Sequence, residues 1–439
     1  MKFAKQVISI LSADVVLEGT HLVIKSVYAT LLGPSLFGVV TLIQLIPQYA
    51  EKFFRLGVDD GSTYIGSQNQ KKIGVVFFNA CFLVLCFSVI AIGTFLVFKG
   101  VYVKQLLKGM VVDQPIFWAV LLSIPPLFLF RAFMKNMLFA EKIWAYNILN
   151  FGSPLLGQVL ILISILWFGQ NLFLIIMGPT IAYCVGSLCG GIILYRSGYL
   201  NFHFDFPIQK TLIRYGINTY LPAVIHFAQY RADILLIGLF LTPREVGLYT
   251  LSTTFAQIIY KIPTAIASLL YVKAARAETA EKAKVLTADT CRHSITILAL
   301  LLIPFSLVVE ITIRGFMKAY IPLLPSFHLQ VIAWSIFGIA LLLHNHNLGK
   351  GKPGLSLIMY SISLMINVVL NLLLIPSHGI VGAAFVSLVS FTVCSFGLGI
   401  LFLRGANFRW QFMIAPRKSD WEAYKNLLKS LLGSATSFR

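Results

Sequence analysis

Apolar residues run along this chain in long blocks separated by short polar breaks. Stretches of spanning length fall at 6–31, 38–57, 73–98, 115–138, 146–168 and 172–195. Six more fall at 213–239, 246–272, 290–313, 326–348, 354–374 and 380–403. A backbone in lipid must satisfy its own hydrogen bonds, so blocks of this length are helices. The pattern predicts an all-α integral membrane protein of about twelve transmembrane helices, six in each half. It divides the chain into a six-helix bundle over 1–198, a linker over 199–212, a second six-helix bundle over 213–403 and a basic tail over 404–439.

The first block breaks its own pattern. It carries Asp14, Glu18, His21 and Lys25, at offsets that place all four on one helical face. Ionisable groups facing lipid would each cost several kcal/mol, so this stripe is expected to face protein or a watery lumen. Two arrangements satisfy it: a functional lumen, or ion pairs within the helix with Lys25 reaching to the interface. The seventh block repeats the spacing with Pro222, His226, Gln229 and Asp233, and Arg231 lies off that face. Prolines sit inside many blocks, at 47, 125, 126, 154, 179, 222, 263 and 304, and predict helices that kink and bend.

Composition agrees with the pattern. The chain is 58% hydrophobic and 12% charged, with a mean hydropathy of +0.84, where soluble domains carry about 25% charged residues. A net charge of +19 raises nucleic acid as a partner. The basic residues instead fall between the spans and follow the positive-inside rule. With both termini cytosolic, about 25 of the 35 Lys and Arg residues lie inside, about 6 outside and about 4 within spans. Lys99, Lys104 and Lys108 are the exceptions, on the unfavoured side. The N-terminus reads as an uncleaved first helix. The six cysteines lack a CxxC pair, and neither a disulfide nor a metal site is expected. His344 and His346 point to different faces of a helix.

The halves resemble each other. A shift of 209 residues carries Leu32, Pro34, Gly38, Thr41, Leu42 and Lys52 onto Leu241, Pro243, Gly247, Thr250, Leu251 and Lys261. A duplicated six-helix unit is a transporter architecture with the substrate path between the halves. Lys52 and Lys261 each lie fourteen residues past their glycine, roughly 21 Å along the helix. Lys25 and Arg231 fall nearer the other ends of their spans. Two cation levels result, with the alternative that all four snorkel or pair with Asp14, Glu18 or Asp233.

Several motifs then carry a resemblance. Leu32-Gly-Pro-x-x-x-Gly38, Leu56-Gly-Val-Asp-Asp60, Glu245-Val-Gly-Leu-Tyr249, Asn367-Val-Val-Leu-Asn371 and Leu374-Ile-Pro-x-x-Gly379-Ile-Val-Gly382-Ala-Ala384 stand at matching places. Over about 1–403 the chain resembles bacterial oligosaccharide (O-antigen and polysaccharide biosynthesis) flippases of the multidrug/oligosaccharidyl-lipid/polysaccharide exporter superfamily. The resemblance implies a MATE-like fold of two six-helix bundles. It implies translocation of undecaprenyl-diphosphate-linked oligosaccharide units across the bacterial inner membrane for surface polysaccharide assembly. Lipid-linked oligosaccharide and membrane lipid are the implied partners, with the polysaccharide polymerase or ligase machinery beyond them. The polar stripe belongs to no motif of the family.

An anionic head with a sugar chain requires cations and polar groups. The lumen residues proposed on that ground are Asp14, Glu18, His21, Lys25, Lys52, His226, Gln229, Arg231, Asp233 and Lys261. A cation-coupled small-molecule or multidrug exporter of the same superfamily is the alternative, and a net positive cavity would favour the flippase. The loops gather no cluster of acids and histidines, which argues for a transporter and against a membrane-embedded transferase. No cofactor is expected beyond a coupling proton or sodium ion, with Glu18 as the proton carrier and His21 as its relay. Glu310 and Arg314 are placed to pair at a helix end, and 274–286 reads as an exposed cytosolic helix. In the tail, Ser419 to Glu422 reads as a capping box. It leads into a basic amphipathic segment of Trp421, Tyr424, Leu428 and Leu431 with Lys425 and Lys429.

Overall fold

The computed structural model describes residues 2–68, 72–100, 114–404, 410–417 and 420, with the backbone alone for 2–18, 67, 68, 218 and 219. Among these residues all regular secondary structure is helical. The order is α1 (Lys2–Phe54), α2 (Val58–Gln68), α3 (Ile73–Val97), α4 (Gln114–Leu122), α5 (Ile124–Phe139), α6 (Ile143–Phe168) and α7 (Leu172–Arg196). There follow α8 (Phe206–Phe240), α9 (Pro243–Ala275), α10 (Ala280–Phe316), a 3₁₀ turn (Lys318–Leu323), α11 (Leu324–Gly349), α12 (Pro353–Arg404) and the short α13 (Gln411–Ile414).

Ten segments among the described residues are long and apolar enough to cross a membrane. Two of the helices are broken within. α1 breaks at Gly33 (φ 72°, ψ 165°), and α12 breaks at Gly379 (φ 58°, ψ −144°). Both are left-handed positions that a side chain resists, and each falls within a motif noted above.

Local chemistry sets several ends. Asn171, Asp205 and Thr279 each cap a helix by accepting from the backbone N–H three residues on. Pro125 and Pro126 correct one expectation. They do not kink a helix interior but open α5, one residue after α4 ends at Leu122. Proline is favoured in a first turn because its missing N–H would be unpaired there anyway. The exposed helix expected at 274–286 is likewise no separate element: α10 starts at Ala280 and continues into the ninth span, with Lys282 paired to Glu278.

The chain groups into two compact units, one of Thr20–Leu251 and one of Met1–Gly19 with Ser252–Arg439. In the first of these units α8 and the first turns of α9 pack with the helices before them. Gly216 of α8 lies against the carbonyl of Leu56, where an added Cβ would stand 2.3 Å from the oxygen. Phe37, Leu42, Ile43, Phe77, Phe128 and Phe130 are fully buried in the first unit.

In the second unit the core is aromatic. Phe337 stacks on Phe391 at 4.2 Å, and Trp334 meets Phe391 and Tyr260 edge-on at 5.2 and 5.1 Å. The motif asparagines join the last two crossings: Asn371 donates to Asn367, which donates to Ser390. Such polar pairs hold helices together where burial of apolar surface gives no advantage over lipid. The tail returns to α10, where Arg292 forms a two-pronged pair with Asp420 at 2.8 and 3.2 Å and donates to the carbonyl of Phe412. Ser419 and the segment 421–439, with its amphipathic pattern, lie outside the described residues.

Candidate functional site: a cationic cavity among kinked helices

A cavity of about 220 Å³ lies within the Thr20–Leu251 unit. Lys25 and Arg231 supply its charge, and among the described residues its lining contains no carboxylate. Gln44, Gln48 and Gln158 add amides, and Tyr28, Tyr183 and Thr250 add hydroxyls. Two cations with amide and hydroxyl neighbours are a donor set for an anion that carries further oxygens.

The sequence builds this space with proline. Pro47, Pro154 and Pro179, interior to α1, α6 and α7, all line it, as does Ser123 at the α4–α5 break. A proline removes one ladder hydrogen bond and pushes its helix off the preceding carbonyl. Irregular backbone at membrane depth is tolerated where it is buried in protein or lines a cavity. Three of the eight prolines noted in the sequence thus border one space.

Lys25 reaches the cavity because the first crossing turns its polar face inward. His21, Lys25, Tyr28 and Leu32 follow one helical face, while Val23, Val27 and Leu31 on the other are 61%, 43% and 41% exposed. The Lys25 ammonium stands 6.0 Å from the Phe37 ring centroid. His21 shares a hydrogen bond of 3.0 Å with Gln158, itself part of the cavity wall, and packs edge-on against Phe151. The side chains of Asp14 and Glu18 lie outside the described residues.

On the seventh span the order differs from the expected one. Arg231, which the spacing puts off the polar stripe, lines the cavity, and His226, Gln229 and Asp233 do not. Asp233 is buried and fixed by hydrogen bonds from the Tyr249 hydroxyl and the Ile234 N–H. His226 packs against Tyr230, and Gln229 is buried. The Tyr49 hydroxyl donates to the carbonyl of Arg231, tying the second crossing to α8 beside the cavity.

Lys52 belongs to a different cluster. Its ammonium lies 3.3 Å from Glu51, whose carboxylate also meets Arg55 at 3.1 Å and Arg131 at 3.5 Å. Arg55 reaches on to Asp59, and Lys135 of α5 pairs with Asp60 at 2.8 Å. Lys261 stands half-buried on α9 in the other unit. Sequence reading passed over Glu51, Arg55 and Asp59, although their four-residue spacing is the signal of an ion-paired helix face. It also passed over the three glutamines, because a glutamine in an apolar run carries no charge to mark it. His344 and His346 turn apart, one to Tyr360 and the other to Thr287. Glu310 pairs with Arg314 at 2.8 Å, as their spacing predicts.

Comparison with known proteins bears on the family and the fold. A probable low-salt glycan biosynthesis flippase, Agl15 of Haloferax volcanii, is 24% identical over 248 residues, 54% of this chain and 52% of that protein. The alignment thus spans about half the length of that relative. An uncharacterized membrane protein of Methanocaldococcus jannaschii, MJ1375, is 22% identical over 424 residues, 91% of this chain and 97% of its own.

Among solved structures, the lipid II flippase MurJ in its inward closed conformation superposes with a TM-score of 0.73 at 13% identity, over 90% of this chain and 86% of that one. The eukaryotic MATE transporter AtDTX14 does so at 0.63 and 14%, over 93% and 97%. The fold is therefore that of the MurJ and MATE transporters. The family model for polysaccharide biosynthesis proteins matches residues 3–271, more than half of the sequence, and the chain belongs to that family.

Proposed function

We propose that this protein is a flippase that carries a polyprenyl-diphosphate-linked oligosaccharide across the membrane, from the cytosolic to the outer leaflet. In a bacterium the carrier is undecaprenyl diphosphate, the membrane is the inner one, and the glycan is a repeat unit of O-antigen or capsule. The observation that carries this reading is the cavity charge: Lys25 and Arg231 line it, and among the described residues no carboxylate joins them. A diphosphate brings two negative charges and many acceptor oxygens, which an ammonium, a guanidinium and neighbouring amides satisfy together. The prenyl tail needs no protein cavity, because lipid solvates it. The polymerase or ligase that would receive the glycan is the expected partner machinery.

A cation-coupled drug exporter shares the fold, and a cationic drug would call for carboxylates where the described lining offers Lys25 and Arg231. Outward movement of a dianion is favoured by an inside-negative potential, at about 2.3 kcal/mol per charge per 100 mV. The return step is where a proton or sodium ion acts, with Glu18 as the proton carrier.

The test is export of lipid-linked oligosaccharide in cells lacking the chromosomal copy and in vesicles. Lys25→Glu and Arg231→Glu are expected to abolish export at normal protein levels, with Lys25→Arg retaining part of it. Normal surface polysaccharide from both reversals would overturn the proposal, and loss of drug resistance instead of polysaccharide would favour the exporter.

A further inference from the structure

A second cleft lies apart from the cationic cavity, where α2, the end of α5 and the start of α8 meet. It encloses about 490 Å³, within the ~300–1,000 Å³ of small-molecule sites, and it opens to the outside. Tyr64 and Tyr215 form one wall, with rings 4.3 Å apart and 12° from parallel. Tyr64 is 44% exposed, so the stack presents an aromatic surface to the cleft. In the same lining the Lys135 ammonium donates to Asp60 at 2.8 Å, and both side chains are about half exposed. The Thr63 hydroxyl donates to the carbonyl of Asp59, so its oxygen is an acceptor on the same wall. Asp60, Thr63 and Tyr64 share one face of α2 by their spacing of three and four.

The chemistry selects a class of ligand. Asp60 and Lys135 cancel in charge, so the cleft offers neither a cation nor an anion a site of its own. It does offer acceptors, a donor and a flat apolar plate. A sugar ring has that complement: an apolar face of axial C–H bonds and a rim of hydroxyls that both donate and accept. A diphosphate would meet Asp60, and a hydrophobic drug would leave the ion pair unused.

We propose that the Tyr64–Tyr215 cleft binds neutral sugar residues of the transported glycan, holding the glycan while the diphosphate occupies the cavity of Lys25 and Arg231. The identity of the glycan as cargo rests on the function proposed above, whereas the capacity of the cleft to bind sugar does not. By the positive-inside reading this cleft is cytosolic, since Lys135, Lys142, Arg196, Lys210 and Arg214 cluster at these helix ends. It therefore acts at loading.

The experiment is saturation-transfer NMR on the full chain in detergent, with N-acetylglucosamine and methyl β-glucoside as separate probes at millimolar concentration. Transfer to the ring C–H protons is expected for at least one probe. It should fall by about tenfold or more in the Tyr64→Ala, Tyr215→Ala double variant. Tyr64→Phe keeps the plate and should keep the signal. Asp60→Asn should weaken it while thermal unfolding in detergent stays unchanged.

Absence of transfer from both sugars, or transfer that the double variant leaves intact, overturns the proposal. The two readings fail separately. Sugar binding lost in the tyrosine variants, with export indifferent to Lys25→Glu and Arg231→Glu, leaves the cleft standing and the flippase fallen. The reverse pattern does the opposite.

Discussion

Gly38 and Gly247 lie against each other's helices in a reciprocal contact. A Cβ built on Gly38 would stand 1.7 Å from the carbonyl oxygen of Pro243, and one built on Gly247 would stand 2.1 Å from that of Pro34. The same shift of 209 residues relates Pro34 to Pro243 and Gly38 to Gly247. The repeated motif is therefore a mutual crossing, in which each copy gives the proline carbonyl that the other's glycine admits. Small residues that let backbones approach this closely are how helices associate without a hydrophobic gradient.

The contact leads to the first prediction. Gly38→Ala or Gly247→Ala forces the helices apart, and overpacking of this kind costs about 1–3 kcal/mol. Either variant should unfold several degrees lower in detergent, read by tryptophan fluorescence. Gly93→Ala and Gly152→Ala are the controls, since nothing lies within 4 Å of a Cβ at either. They should leave stability unchanged or raise it slightly, because alanine is the better helix former by about 1 kcal/mol. Equal effects at all four positions would remove the crossing from its structural role.

Glu51 holds three cations and is 6% exposed. Glu51→Gln keeps the shape and removes the charge, leaving Arg55 with Asp59 alone and Arg131 without its carboxylate. Breaking a buried pair from one side costs about 3–5 kcal/mol. The variant should lose folded protein at ordinary temperature, measured as the monodisperse fraction on size exclusion. Lys135→Ala, which breaks an exposed pair, should cost less than about 1 kcal/mol. A Glu51→Gln protein as stable as Lys135→Ala would show that the cluster carries no net stabilisation.

The tail clasp should depend on pH in one direction. Burial works against the charged carboxyl of Asp420, yet hydrogen bonds from the Arg292 guanidinium and the Arg417 N–H outweigh it and hold Asp420 below the usual carboxylate range. A depressed carboxyl contributes stability that is present above its unfolded pKa of about 4 and is lost as pH falls through the lower, folded value. Amide exchange in 410–417 should therefore stay slow from neutral pH down to about 4, after correction for intrinsic rates, and quicken only below that. Asp420→Asn should quicken it above about pH 4, and parent and variant should converge as pH falls further. Protection in that variant matching the parent would mean that the ion pair does not hold the tail.

Coupling is tested at Glu18. If this carboxyl carries a proton for the return step, Glu18→Gln binds substrate yet cycles slowly and loses its dependence on the pH gradient in vesicles. Unchanged transport, or transport that needs sodium and ignores pH, would move attention to Asp14 and Glu18 together as a sodium site.

The spanning helices were legible because lipid imposes a strict length and hydropathy on every helix that spans it. Gly33 and Gly379 were legible as motif positions, and the duplicated prolines and glycines as a repeat. The inward face of His21 and Lys25 could be read from spacing, since a charge has few places to go in a membrane. What only the tertiary structure decided is which polar groups share a space.

Arg231, rather than His226 or Asp233, lines the cavity with Lys25, because the rotation of α8 is fixed by contacts far along the chain, such as Gly216 on Leu56. The Glu51 cluster draws on α1 and α5, and the Tyr64–Tyr215 pair joins residues about 150 positions apart. Periodicity within one helix constrains its own face and carries no information about which neighbour that face will meet. That choice is made by packing, and the sequence expresses it only once the helices are assembled.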